Sequence, residues 1–225
     1  MNLKTLFIFL CYRGDYMNAD NIQINTQSSI KITLDKIIYF DPFKIENDSH
    51  DADIIFITHD HYDHMDKDSI EKVKKDTTII VAPKSMEETI KNIDAKDYIF
   101  LNPNEEIDIE GIHIKSVRAY NNEKPFHPKS NDWLGYIISY NDITYYIAGD
   151  TDKTVDNELV KCDIALVPVG GHFTMDVSEA TELIKKINPK VVIPTHYGTI
   201  IGSPDEGKKL KEKLSDTNIE VILKL

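Results

Sequence analysis

The stretch Thr58-His59-Asp60-His61-Tyr62-Asp63-His64 sets four candidate metal ligands, three imidazoles and the Asp63 carboxylate, within six residues, in the pattern H-x-H-x-D-H. Imidazole nitrogens beside a carboxylate suit a borderline divalent ion, zinc first, with manganese or iron as alternatives. One tetrahedral ion that keeps a position open for water needs only three protein ligands, and four stand here. The crowding therefore points to two ions. His59 and His61, two residues apart, reach one, while Asp63 and His64 turn to the other. The opposing reading of the same residues is a solvated histidine-rich loop. Ile54-Ile55-Phe56-Ile57 runs straight into the motif and reads as a buried strand, so the ligands stand where a strand ends and a loop opens.

Three further landmarks follow in a fixed order. Tyr39-Phe40-Asp41-Pro42-Phe43 precedes the motif, Ala148-Gly149-Asp150-Thr151 comes later, and Ile193-Pro194-Thr195-His196-Tyr197-Gly198 lies near the end. With these the chain resembles the metallo-β-lactamase superfamily of metal-dependent hydrolases over residues 22 to 225. It is most similar to the small hydrolases related to ascorbate-6-phosphate lactonase, and unlike the secreted antibiotic-degrading enzymes. The resemblance implies an α/β (α+β) architecture: a four-layer αββα sandwich of two mixed β-sheets with helices on the outer faces. It also implies a dinuclear site held by His59, His61, Asp63, His64, Asp150, His196 and one more residue. Asp150 follows a strand-like run, and each of its two oxygens could hold one ion, with the ions about 3.5–4 Å apart. Gly-Asp is also a common turn dipeptide, a reading that weakens beside the other landmarks.

The seventh ligand is the open position. Relatives carry a histidine after the strand that here covers residues 112–117, where this chain has Ala119-Tyr120-Asn121. The next histidine is His127, and it is preferred because imidazole outranks a neutral amide oxygen for transition metals. Asn121 or water is the alternative. Asp41 and Thr58 are expected to orient ligands by hydrogen bonds. His172, among glycines that let backbone approach a ligand, and Tyr197, beside the last ligand, are further candidates for second-layer or substrate contact. Gln27 stands where relatives often show histidine, and either donates into the cleft or is an ordinary surface residue.

The implied chemistry is hydrolysis by a metal-bound hydroxide, available near neutral pH, acting on a small lactone or phosphoester. Asp63 and Asp150 are the expected catalytic carboxylates, binding metal and orienting or relaying the proton. Lys124 and Lys129 flank His127 and suggest an anionic substrate. The fold does not choose the substrate. Two other readings stand: a metal-holding regulator without turnover, and a di-iron redox enzyme. Relatives of the second kind usually place a glutamate where His61 stands and carry a flavin domain.

The elements that position these residues alternate along the chain. Strand-like runs cover residues 22–24, 30–32, 36–40, 53–57, 78–81, 112–117, 134–140, 143–148, 163–169, 191–193 and 219–223. Asn141-Asp142 reads as a hairpin turn. Ala180, Leu183, Ile184 and Ile187 make an amphipathic helical stripe, opened by an Asp176/Glu179 capping box and closed at Asn188-Pro189. Leu210 and Leu214 mark another helix. His113 is expected on a wet strand face and His50 in a solvated loop.

At 225 residues and 41% hydrophobic, the chain supports one domain with a substantial core. Its formal charge of −12, spread along the sequence, argues against nucleic-acid binding and leaves a small-molecule substrate as the expected partner. Cys11 and Cys162 are far apart, so no disulfide and a reducing, cytoplasmic setting are expected. The apolar run 6–12 follows Lys4 like a weak secretory signal, yet Arg13-Gly14-Asp15 offers no small-residue cleavage site, and the run is too short to span a membrane. Residues 1–16 are therefore expected to be a disordered or weakly packed extension, with secretion the lesser alternative, and 17–225 the hydrolase domain.

Overall fold

A computed structural model describes residues 19–225; the extension expected over 1–16 lies outside the described residues. The first half lays down β1 (Ile22–Ile24), β2 (Ile30–Thr33), β3 (Ile37–Phe40), β4 (Ala52–Phe56), helix α1 (Lys67–Val73), β5 (Lys74–Pro83), the short α2 (Glu87–Ile90) and β6 (Asp97–Leu101). These strands form a six-stranded sheet in chain order, antiparallel from β1 to β3 and parallel from β3 to β6. The second half supplies β7 (Glu106–Ile109), β8 (Ile112–Arg118), β9 (Leu134–Tyr140), β10 (Ile143–Ile147), β11 (Ile164–Pro168), α3 (Val177–Ile187), β12 (Val191–Thr195), α4 (Glu206–Lys213) and β13 (Glu220–Val221). They build a seven-stranded sheet, antiparallel from β7 to β10 and parallel from β10 to β13.

Strand alternation sorts the side chains into layers. Ile54 and Phe56 of β4 face the second sheet, where they join Phe40, Leu134, Tyr136, Ile138 and Ile193 in a buried core. Ile55 and Ile57 point the other way, onto Ile70 and Val73 of α1 and Ile90 of α2. On the far side, Leu183, Ile184 and Ile187 of α3 and Leu210 of α4 cover Ala165, Val167 and Val192. Helix, sheet, sheet, helix is the resulting four-layer order, as expected. Parallel strands buried on both faces read as continuous apolar runs, which is why β4, β11 and β12 were visible in the sequence.

Local signals were equally direct. Asp176 accepts from Ser178 and Glu179 backbone N–H groups and completes a capping box with Glu179, while Asn188 ends α3 in the left-handed region at φ +50°. Asn141 and Asp142 join β9 to β10 with φ of +47° and +62°, the conformation a tight hairpin turn demands. His113 lies half-buried on β8 beside Asp108, and His50 is exposed. Cys162 stands just before β11, and burial pushes its thiol up to about 12. Two edge strands, β6 and β7, were not expected. Among the described residues no helix is long and apolar enough to cross a membrane.

An aromatic stack ties the core to the motif. Phe40 and Phe56 rings stack at 4.6 Å, Tyr136 packs on Phe56 at 4.9 Å, and the Tyr136 hydroxyl donates to the Ile57 carbonyl at 2.7 Å. That carbonyl precedes Thr58, so the bond holds the strand end from which the ligands spring. Tyr136→Phe should leave the buried carbonyl without this partner and cost about 1–3 kcal/mol, read by chemical denaturation. A loss within measurement error would show that the stack alone fixes the strand end.

Candidate metal centre

Each ligand candidate sits just past a strand end on one edge of the sandwich. β3 delivers Asp41, β4 delivers Thr58 to His64, the loop after β8 delivers Asn121 and His127, β10 delivers Asp150, and β12 delivers His196. The chain must bend sharply at these points: Asp41 has φ +45°, Gly149 +64° and His196 +56°. At Gly149 a Cβ would come within 3.1 Å of the Leu134 carbonyl oxygen and 3.2 Å of Thr58 Cβ, so glycine alone lets Asp150 turn inward here.

Three groups of ligand atoms converge, each with its atoms within 4.8 Å of one another: His59, His61 and His127; His59, His64 and Asp150; and Asp63, His64 and His196. Asp150 lies between them. Its Oδ2 is 3.4 Å from His127 Nε2 and 3.1 Å from His196 Nε2, and its Oδ1 is 3.4 Å from His64 Nε2. Asp63 Oδ2 lies 3.4 Å from His196 Nε2 and 3.7 Å from His64 Nε2. His59 Nε2 and His61 Nδ1 stand 3.1 Å apart.

Despite this crowding, His64 Nε2, His127 Nε2, Asp150 Oδ1 and both ring nitrogens of His196 are buried with no aligned hydrogen-bond partner. Buried polar atoms in folded proteins are nearly always satisfied. Lone pairs from imidazoles and a carboxylate that point at shared space, and not along hydrogen bonds, are the donor set a divalent cation requires. The residues present therefore fit a metal.

A profile of the beta-lactamase superfamily domain matches residues 21–196. The chain is 34% identical over 190 residues to a UPF0173 metal-dependent hydrolase of Thermoplasma acidophilum, spanning 78% of this chain and 83% of that protein. It is also 34% identical over 208 residues to a UPF0173 metal-dependent hydrolase of Pyrococcus horikoshii, spanning 84% and 89%. A solved structure from Parabacteroides distasonis, assigned to the metal-dependent hydrolases, superposes with a TM-score of 0.77 at 31% identity, over 91% of this chain and 92% of that one.

The chain belongs to the beta-lactamase superfamily. It is a metal-dependent hydrolase of the metallo-β-lactamase kind.

Asp41, fully buried, is the anchor. One carboxylate oxygen accepts from Thr58 N at 2.8 Å; the other accepts from Thr58 Oγ1 at 2.6 Å and from His64 Nδ1 at 2.7 Å. The Thr58 hydroxyl, having spent its proton on Asp41, accepts from His59 Nδ1 at 2.9 Å. Both rings are thereby fixed with Nε2 bare and facing the shared space.

Asn121 and His127, left as alternatives by the sequence, turn out to be partners. Asn121 Nδ2 donates to Asp152 Oδ1 at 3.0 Å and to the Phe173 carbonyl at 2.9 Å. Its amide is thus oriented with Oδ1 toward His127, accepting from His127 N at 3.1 Å and Nδ1 at 2.9 Å. His127 Nε2 is left to face His59 and His61, while the Asn121 oxygen is used up away from the cluster.

The other expectations divide. His172, exposed at φ +49°, lies outside the ligand groups and packs on Phe126 at 5.1 Å and Phe173 at 4.5 Å. Tyr197 is a correction. Its ring lies in the outer apolar layer and its hydroxyl abuts Gly207 of α4, because consecutive side chains leave a strand end on opposite sides. Gln27 is buried, and its carbonyl accepts from His196 N at 3.0 Å, so its main chain braces the last histidine. Lys124 is also turned elsewhere: Nζ donates to Asp152 at 2.5 Å and to the Thr174 carbonyl at 2.7 Å. Lys129 lies 4.5 Å over the Tyr120 ring.

Two contributors escaped the sequence reading. Trp133, the only tryptophan, packs 5.0 Å from the His59 and His61 rings and 5.6 Å from His127. Asp152, almost fully buried, braces Asn121. A single tryptophan beside a histidine loop was a usable signal; nothing local marked Asp152.

The electrostatics split the cluster in two. Burial, then the neighbouring His64 charge, holds His59 well below the ordinary imidazole range, and burial with His127 lowers His61. On the other side burial opposes charge on His64, but Asp150 and Asp41 overcome it and hold His64 well above that range. His196 rises to about 9 because Asp150 likewise outweighs burial. Asp150 itself sits well below the carboxylate range: burial would raise it, yet His196 and His64 prevail. Asp150 thus stands between imidazoles that burial pushes down and imidazoles that its own charge pulls up.

Proposed function

We propose that the chain is a dinuclear metal-dependent hydrolase of small ester-type substrates, lactone or phosphoester, with zinc as the first candidate metal. His59, His61 and His127 would hold one ion and Asp63, His64 and His196 the other, with Asp150 serving both sets. The observation that carries this is the set of buried, unpartnered nitrogen and oxygen atoms aimed at shared space around Asp150. The neutral donor set beside a second, acid-containing set matches what two divalent ions need. When bound, the ions would acidify water to near neutrality and polarise the acceptor oxygen of the substrate.

The chain's own residues would do the rest. Asp41 and Thr58 hold His59 and His64 in one tautomer, and Asn121 does the same for His127. Asp63, at the cavity surface, would also orient or relay a proton toward a leaving group. Trp133 and the aromatic residues nearby exclude bulk water from the imidazole side. The test is elemental analysis of purified protein followed by a lactone, ester and phosphoester panel with zinc, manganese and iron. Close to two ions per chain and chelator-sensitive turnover are expected. Full metal content with no turnover on any substrate would transfer the case to a metal-holding regulator.

The seventh ligand has its own test. His127→Ala should remove one ion and most activity, because no other imidazole stands with His59 and His61. Asn121→Ala should keep both ions but weaken one about 10–100-fold, the usual cost of losing an orienting partner. Metal titration that ranks them the other way would make Asn121 the ligand.

A further inference from the structure

A cavity of about 320 Å³ opens directly on the ligand cluster, with His61, Asp63, Asp150 and His196 as its floor. Its walls are Tyr62, Phe126, Phe173 and Ile200. A larger cavity of about 430 Å³ beside β1 and β2 contains none of the ligand residues and is set aside. The walls come from four different loops. Phe126 and Phe173 meet edge to face at 4.6 Å, and Tyr62, 67% exposed, meets Phe43 edge-on at 6.0 Å.

No lysine or arginine is among the described residues that line this space. The two cations nearest in sequence are committed elsewhere: Lys124 to Asp152 and Thr174, Lys129 to Tyr120 and Asp156. A phosphoester could offer oxygens to two ions, but its remaining charge would lie against rings, where an unpaired charge is costly to desolvate. The chain's −12 charge also disfavours the approach of an anion. An uncharged ligand meets neither obstacle. An apolar cavity of about 150 Å³ holds a benzene ring, so this one has room for a ring together with the reacting group.

Resting on the hydrolase reading, we propose that the substrate is an uncharged carboxylic ester or lactone whose flat apolar group packs against Phe126, Phe173 and Tyr62. In the reaction water adds to the acyl carbon, the acyl C–O bond breaks, and the departing alkoxide takes a proton. An ester gives an acid and an alcohol, a lactone gives one hydroxy acid, and no oxidant or reductant is needed.

The test compares p-nitrophenyl phenylacetate, p-nitrophenyl acetate, the mono-p-nitrophenyl ester of succinate and bis(p-nitrophenyl) phosphate on the metal-loaded protein, each normalised to its rate in buffer. The phenylacetate should have the highest kcat/KM. Phe173→Ala should lower the phenylacetate-to-acetate ratio by about tenfold, the scale on which an apolar pocket discriminates. A calorimetric titration with phenylacetamide and with phenyl phosphate reads binding apart from turnover. Phenylacetamide should bind more tightly, and Phe173→Ala should weaken it. Preference for the phosphodiester or the succinate ester, or tighter binding of phenyl phosphate, would overturn the inference while the hydrolase reading stands. Phenylacetamide binding that Phe173→Ala leaves unaltered would also overturn it. If no substrate turns over while phenylacetamide still binds through Phe173, the hydrolase reading falls and the apolar, uncharged character of the ligand is upheld.

Discussion

Asp150→Asn should take the protein from about two bound ions to fewer than one and leave no measurable selectivity between the two positions. The carboxylate stands between His127 and His196 on one oxygen and faces His64 with the other, so it reaches both proposed ligand sets. The replacement keeps the shape but removes the negative charge and one acceptor. A metal centre supplies several kcal/mol of transition-state stabilisation, and 1.36 kcal/mol is tenfold in rate, so activity should fall by about a thousandfold or more. The fold should survive, because the residue sits past the end of β10 and touches the core only through its neighbours. Elemental analysis, circular dichroism and steady-state rates on one preparation decide the matter. A variant that is folded and still holds two ions would show that the sites are independent and that Asp150 is not shared.

How much of this could be read from residues alone depends on how far apart the deciding atoms lie. The H-x-H-x-D-H run was legible because its spacing is local and a buried strand leads into it. Asp150 and His196 also follow apolar strands, but it was the resemblance of Gly149-Asp150-Thr151 and Thr195-His196-Tyr197-Gly198 to family landmarks that singled them out. The orientation of Asn121 against His127 was not legible, because it turns on which way an amide faces. Asp152 and the Phe173 carbonyl set that direction, 31 and 52 residues along the chain. Lys124 misled for the same reason: its partners at Asp152 and Thr174 are remote in sequence and close in space. Tyr197 misled because adjacency to a ligand says nothing about the opposite face.

The fold shows the same division. Capping boxes, left-handed helix ends and hairpin turns are short-range devices and were visible. Doubly buried strands were visible as apolar runs. The edge strands β6 and β7 were not, because one neighbour and partial burial leave them with mixed, charge-bearing sequences such as Glu106-Ile107-Asp108-Ile109. They complete the sheets at their margins and carry no ligand, so the site was readable without them.

Asp41→Ala should be the most destabilising single change among the residues that orient the ligands. The carboxylate is fully buried and satisfies three donors: Thr58 N, Thr58 Oγ1 and His64 Nδ1. Truncation leaves those donors in a dry interior, and removing one partner of a buried charged pair costs about 3–5 kcal/mol. The backbone adds to the loss, since φ is +45° there and alanine tolerates the left-handed region worse than aspartate. Against a typical total stability of about 5–15 kcal/mol, that is a large fraction, and Tm should drop by roughly 6–20 °C for a chain of this size. Asp41→Asn separates orientation from packing. It accepts the same backbone and volume but presents a donor where His64 Nδ1–H or the Thr58 hydroxyl now donates. One imidazole must then change tautomer or turn, and the affinity for the ion beside His64 should fall about 10–100-fold. Thermal unfolding and metal titration of both variants give two independent readings. If Asp41→Ala melts within about 2 °C of the parent, less than 1 kcal/mol on this scale, and Asp41→Asn binds metal normally, the carboxylate anchors neither the strand end nor His64. The tautomers would then have to be set by the metal ions themselves.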